Sequence, residues 1–226
     1  MTDINDAVVL VVGASGGLGS RIAALLAEAG AIVVRGGRNP GRLTGPDAYL
    51  ADLRTADGPA SLVAAAVAAH DRLDGVVIAA GVVAFGGAPD LTEATLQELV
   101  DTNMLAPIRL IRAATPALAA SAASGRKPFV VTISGIVAEA PTAGMAAYSA
   151  SKSGLAAFMT AASREYRRQG IRLLDARPGH TGTRLSEHPL AGVAPAFGAG
   201  LDPDDVAARI LRAVVDEEKD LPSTAF

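Results

Sequence analysis

Residues 7–19, Ala7-Val8-Val9-Leu10-Val11-Val12-Gly13-Ala14-Ser15-Gly16-Gly17-Leu18-Gly19, decide how the rest of the chain is read. The unbroken apolar run Ala7–Val12 reads as a strand buried on both faces, as parallel strands are when helices cover them. A helix with apolar spacing follows at Ser20–Ala29 and stops at Gly30, a natural residue just past a helix end. Glycines between such a strand and such a helix let backbone N–H groups approach a pyrophosphate at the helix N-terminus. Their spacing is Gly13-x-x-x-Gly17-x-Gly19, not Gly-x-Gly-x-x-Gly. Ser20-Arg21 stands where a mononucleotide P-loop needs Lys and then Ser or Thr, which disfavours an ATPase.

Outward from this unit the same alternation repeats. Ala31–Val34 and Ala48–Ala51 read as strands, Thr55–His70 as a helix, and Leu73–Ala79 as another buried strand. Thr92 opens a helix, and the chain from Asn103 to about Ala123 continues helically despite Pro107 and Pro116. Phe129–Ile133 and Ile171–Ala176 read as strands around a long helix at Met145–Gln169 closed by Gly170. Asp202-Pro203 starts a last helix to about Val215. Strands alternating with long helices predict an α/β chain with a Rossmann-like, doubly wound parallel sheet and helices on both faces. At 226 residues one core suffices, so residues 1–226 are expected to form a single domain. Sites in such sheets lie at the carboxyl ends of the strands. Residues 184–200, rich in Ala, Gly and Pro, read as a mobile substrate loop over that end.

Composition narrows the function. A net charge of −3 without blocks of like charge lacks the footprint of a nucleic-acid binder. No cysteine is present, and His70, His180 and His188 are scattered, so neither disulfides nor a metal site are expected. Met1–Asp6 is polar and leads into an apolar run too short for a secretion signal or a membrane span, so a cytoplasmic location is expected.

Tyr148-Ser149-Ala150-Ser151-Lys152 puts a phenol and an ammonium four residues apart on one helix face. A neighbouring Lys ammonium and the positive ring of a bound nicotinamide together favour phenolate, so Tyr148 is expected to have a pKa lowered towards working pH and to exchange a proton with a carbonyl or alcohol oxygen.

With these residues in order along the chain, the sequence resembles the short-chain dehydrogenase/reductase family. The likeness rests on the glycine loop, Asp52-Leu53, Asp74 to Gly81, Asn103, Tyr148-x-x-x-Lys152, and Pro178-Gly179 with Thr183. It implies a sheet of about seven strands and hydride transfer between a nicotinamide and a carbonyl carbon. By the same resemblance Tyr148 would be the acid or base, Lys152 would hold the nicotinamide ribose, and Asn103 would anchor a water in a proton relay. Gly13, Ser15, Gly16, Gly17, Leu18 and Gly19 would bind the pyrophosphate. Asp52 and Leu53 would meet the adenine, and Ala80 and Gly81 its ribose. Pro178, Gly179 and Thr183 would lie near the carboxamide or pyrophosphate. The family commonly assembles through the helices corresponding to 103–123 and 145–169, so a homodimer or homotetramer is expected.

The chain departs from the family pattern in several places. Ala79-Ala80 replaces a usual pair of asparagines, and Leu221–Phe226 leaves room for only a short seventh strand. The second strand runs into Gly36-Gly37-Arg38 without an acid for a free ribose 2′-hydroxyl, so NADP(H) is expected in preference to NAD(H), with Arg38 on the 2′-phosphate. Gly135 occupies the place of the family's usual serine, thirteen residues before Tyr148. In a regular strand the adjacent Ser134 would face away, but a glycine can turn the backbone, and Ser134 is expected to take the serine's part. The leading function is then an NADP(H)-dependent oxidoreductase acting on a small carbonyl or alcohol. The alternative is a non-catalytic NADP(H)-binding sensor.

Overall fold

The computed structural model describes residues 1–226. Six strands, β1 (Val8–Val12), β2 (Ile32–Gly37), β3 (Ala48–Leu50), β4 (Gly75–Ile78), β5 (Phe129–Ile133) and β6 (Arg172–Ala176), form one sheet. All pairs are parallel, in the order β3-β2-β1-β4-β5-β6. Six α-helices accompany them: α1 (Gly17–Glu28), α2 (Gly58–His70), α3 (Glu93–Val100), α4 (Ala106–Ala123), α5 (Ala146–Arg167) and α6 (Pro203–Val215).

The continuous apolar run of β1 is explained by its two faces. Val8, Leu10 and Val12 join a core shared with residues of α2, α4 and α5, while Val9 and Val11 join a second core shared with α1 and α6. Strand direction reverses its order of addition between β1 and β4, and the crevice there is where ligands bind in such sheets. At the opposite end, buried Asp74 ties the layers together. It accepts from Val8 N (2.9 Å) and Ser121 Oγ (2.6 Å) and pairs with Arg72 Nε (3.0 Å). Its place within the resembling segment is therefore architectural.

Several element boundaries differ from expectation. α1 begins at Gly17, inside the glycine run, and β2 extends to Gly37. Thr92 does cap α3, accepting from Thr95 N. The stretch expected to continue helically from Asn103 to about Ala123 does so as α4, but it is entered through a π-helical turn at Asp101–Leu105. Pro107 has no N–H for the Asn103 carbonyl four residues back, which favours this widening of the helix.

The sheet has six strands where about seven are expected. Leu221 makes one parallel bridge to Ala176, and Arg177 N donates to Leu221 O (3.0 Å). Pro222 lacks an N–H, and a 3₁₀ turn at Ser223–Ala225 carries the chain off the edge. That corner is held by charge: Arg177 pairs with Glu139 and Asp220, and Glu139 accepts from Ser223 Oγ.

Candidate functional site

The glycine loop leaves β1 at the crevice, and sterics require its glycines. Gly13 has φ of +82°, and a Cβ there would lie 2.6 Å from Ala80 N. A Cβ on Gly19 would lie 2.2 Å from Gly13 O, and one on Gly17 would strike the Thr183 side chain at 2.7 Å. The loop, the exit of β4 and the segment after β6 are thus in contact. Gly16 caps α1 without a side chain, and the amides of Gly17, Leu18 and Gly19 donate to nothing in the chain. Ser15 Oγ also has no partner in the chain, whereas the Leu18 side chain packs on the core. Three free amides at a helix N-terminus fit the pyrophosphate of a dinucleotide.

Further along the crevice, Arg38 extends from the end of β2, mostly exposed, 3.8 Å from Glu98. Asp52 is engaged by Arg54, whose Nε lies 2.9 Å from Oδ1, and this guanidinium holds the Asp52 carboxyl down at about 2. Arg54 also pairs with Glu98 at 2.6 Å. Leu53 is buried in the core beside them. The Arg54–Glu98 link went unread in the sequence because its two partners lie on separate elements.

Tyr148 and Lys152 sit in the first turns of α5, at the carboxyl end of β5. The half-buried Tyr148 ring packs on Val83, Phe85, Val137 and Met145. Lys152 Nζ lies 5.9 Å from the ring centroid and donates to Ile133 O at 2.7 Å. Gly81 completes this corner: a Cβ there would lie 3.3 Å from Asn103 Oδ1 and 3.4 Å from Lys152 Nζ. Asn103 is fully buried and clamps the β4 exit, accepting from Val82 N and donating to Val82 O (both 2.9 Å) and to Ser151 Oγ (3.1 Å). Its side chain is thereby spent on positioning.

The expected lowering of the tyrosine pKa does not occur in the protein alone. Burial pushes Tyr148 up to about 12, and Lys152 makes no hydrogen bond to its hydroxyl. Burial also pulls Lys152 down to about 8, opposed by the negative charge of Asp175. Tyr148 is therefore a neutral phenol at neutral pH.

Ser134 is completely buried and its hydroxyl donates to Asp175 Oδ2, not toward Tyr148. Thr132 Oγ1 donates to the other Asp175 oxygen at 2.6 Å, and Arg177 stands 3.5 Å away. Burial raises the Asp175 carboxyl above its usual range, against these donors and the attraction of Arg177 and Lys152. Gly135 does turn the backbone, with φ of +77°. Its neighbour nevertheless points into the layer under α5, where Asp175 accepts it. Asp175 had a signal in the sequence, a lone acid in the buried strand Leu173-Leu174-Asp175-Ala176.

Beyond β6, Pro178 O accepts from Ile136 N (2.9 Å), and Gly179 lies against Leu201. No three of the chain's His, Asp and Glu side chains gather as a metal site would need, and no helix is long and apolar enough to cross a membrane.

A family model for short chain dehydrogenases matches residues 7–191. "Dehydrogenase/reductase SDR family member 7B" from Danio rerio is 28% identical, covering 99% of this chain and 81% of that protein. Among solved structures, a dehydrogenase/reductase from Sinorhizobium meliloti superposes with a TM-score of 0.82 at 27% identity, covering 98% of this chain and 95% of the other. A 3-ketoacyl-(acyl-carrier-protein) reductase from Brucella melitensis, complexed with NADH, shares the fold at a TM-score of 0.87 and 21% identity, with 97% of both chains covered.

Proposed function

The chain belongs to the short-chain dehydrogenase family and is an oxidoreductase using a nicotinamide cofactor; within that class we propose that it is an NADP(H)-dependent reductase of a small carbonyl compound, with Tyr148 as the proton donor. The observation that carries this reading is a convergence. The free amides of Gly17, Leu18 and Gly19 and the Tyr148–Lys152 pair open onto the same end of the sheet.

When bound, the reduced nicotinamide supplies the hydride for the carbonyl carbon. Tyr148 gives its phenol proton to the carbonyl oxygen, and a neutral phenol suits that direction. The phenolate left behind faces the Lys152 ammonium, which is held in place by Ile133 O. Asn103 keeps the β4 exit, with Ala80 and Gly81, at a fixed distance from Lys152. Arg38, largely exposed and only loosely paired, is free to take a 2′-phosphate, while Asp52 and Leu53 border the adenine side and Pro178, Gly179 and Thr183 close the opposite wall. Residues 1–226 work as one cofactor-binding and catalytic unit. Copies assemble as a homodimer or homotetramer through α4 and α5, whose outer faces are rich in Ala.

A sensor without catalysis is the second reading, favoured by one observation: Gly135 has no hydroxyl and that of Ser134 is committed to Asp175. Titration of the purified protein with each cofactor and a carbonyl screen separate the two. NADPH is expected to bind at least tenfold more tightly than NADH, and Tyr148→Phe to lower turnover by about 10³-fold while leaving NADPH affinity near that of the parent. Equal affinities overturn the NADP(H) preference. Tight NADPH binding without turnover of any carbonyl makes the protein a sensor.

A further inference from the structure

The segments leaving β4, β5 and β6 meet over Tyr148 and build a mostly apolar wall. Val83, Phe85, Val137 and Met145 form a buried cluster on which Tyr148 and Ala194 pack. Phe197 extends it, with its ring centroid 6.0 Å from that of Phe85, and His180 stacks on Phe197 at 4.4 Å and 22°. At the rim, Ile136, Leu185, Leu190 and Val193 are exposed, Val193 to 86%.

This wall is fixed in position. Leu190 N donates to Val83 O (2.8 Å) and Phe85 N to Ala191 O (2.9 Å), so the loop runs along residues 83–85. Gly192, with φ of +72°, permits the approach, since a Cβ there would lie 2.1 Å from Phe85 O. Gly182 N to Leu201 O (2.9 Å) and Leu201 N to His180 O (2.8 Å) close the base of the loop. Residues expected to be a mobile loop are therefore strapped to the β4 exit.

No cation faces the wall unpaired. Arg184, the loop's one Lys or Arg, pairs with Glu187 (3.0 Å) and His188 (3.2 Å), and Lys152 is turned to Ile133 O. The stretches 82–86 and 134–138 hold no charged residue. A carboxylate or phosphate placed there would lose water and gain no partner. An aromatic or alicyclic group would gain the exposed part of Phe197 and the exposed Leu190 and Val193 of the same loop.

We propose, on the basis that Tyr148 is the proton donor, that the substrate is an uncharged ketone carrying an aromatic or alicyclic ring that packs against Phe197 and the exposed Leu190 and Val193 of the same loop. Two matched comparisons with NADPH test this: methyl benzoylformate against the benzoylformate anion, and acetophenone against 2-butanone. The ester is expected to exceed the anion in kcat/KM by at least about 10²-fold. Acetophenone should exceed 2-butanone by more than tenfold, since each buried methylene is worth roughly fourfold. Phe197→Ser, a change at the partly exposed rim, should shrink the acetophenone preference several-fold. Turnover of the anion at the ester's rate, or a ring preference unmoved by Phe197→Ser, overturns the substrate class and leaves the reductase reading standing. Failure of all four compounds with NADPH bound overturns both.

Discussion

The two halves of the crevice are built by different means. On the β1 side the glycine loop is shaped by what is missing: side chains at positions 13, 17 and 19 would collide with Ala80, Thr183 and Gly13. On the β5–β6 side the site is shaped by what is buried, namely Lys152, Asp175, Ser134 and Thr132, whose charges and hydroxyls answer one another. A steric requirement is local in sequence, so its pattern can be read directly. A buried polar network joins residues far apart in the chain, and only the folded register brings them together.

The contrast can be broken on either side, most severely at the loop. Gly19→Ala sets a methyl 2.2 Å from Gly13 O, and the loop must shift away from its amide cradle. NADPH affinity is expected to fall at least about 10²-fold by fluorescence titration, the scale of several lost charge-assisted hydrogen bonds. A variant binding normally would mean that the amides of α1 are not the cradle.

On the other side, Asp175→Asn keeps the shape of the network and removes its charge. Lys152, already pulled to about 8 by burial, loses the charge that opposes the pull, so its ammonium should be lost at lower pH. Since reduction needs the cation beside Tyr148, the alkaline limb of kcat, near pH 8 in the parent, is expected to move toward neutrality. Turnover at pH 7.5 would fall by roughly threefold. An unchanged pH profile would confine Asp175 to a packing role.

Ser134→Ala is the gentlest and the most discriminating change. If the hydroxyl serves Asp175 alone, kcat should fall less than about tenfold. Thermal midpoint should drop by several degrees, as for a lost hydrogen bond to a buried charge. A loss of 10²-fold or more in kcat with an unmoved midpoint would instead put Ser134 on the substrate and erase the distinction between the two halves.

What was legible follows the same division. The parallel sheet, the helices and the glycine loop came from apolar runs punctuated by Gly13, Gly30 and Gly170, because each constraint acts within a few residues. Tyr148 and Lys152 were legible as a pair because a helix turn brings them to one face. The tyrosine pKa was not, since proximity of a lysine says nothing of how deeply Val83, Phe85 and Met145 bury the ring. Nor was the direction of Ser134, which depends on Asp175 facing it from the neighbouring strand in register with Thr132. The strapped loop escaped for a similar reason: its order comes from backbone bonds to residues 83–85, a hundred positions earlier.

The corner beyond β6 has a consequence for behaviour in concentrated solution. A last strand with open amides is a template on which a strand from another molecule can grow. Here Leu221 occupies the first place, and the link from Arg177 through Glu139 to Ser223 fastens the tail across the remainder. The tail thus works as a stopper against intermolecular strand growth, and one fastened by ion pairs and hydrogen bonds loosens in salt and acid before the apolar layers beneath it open.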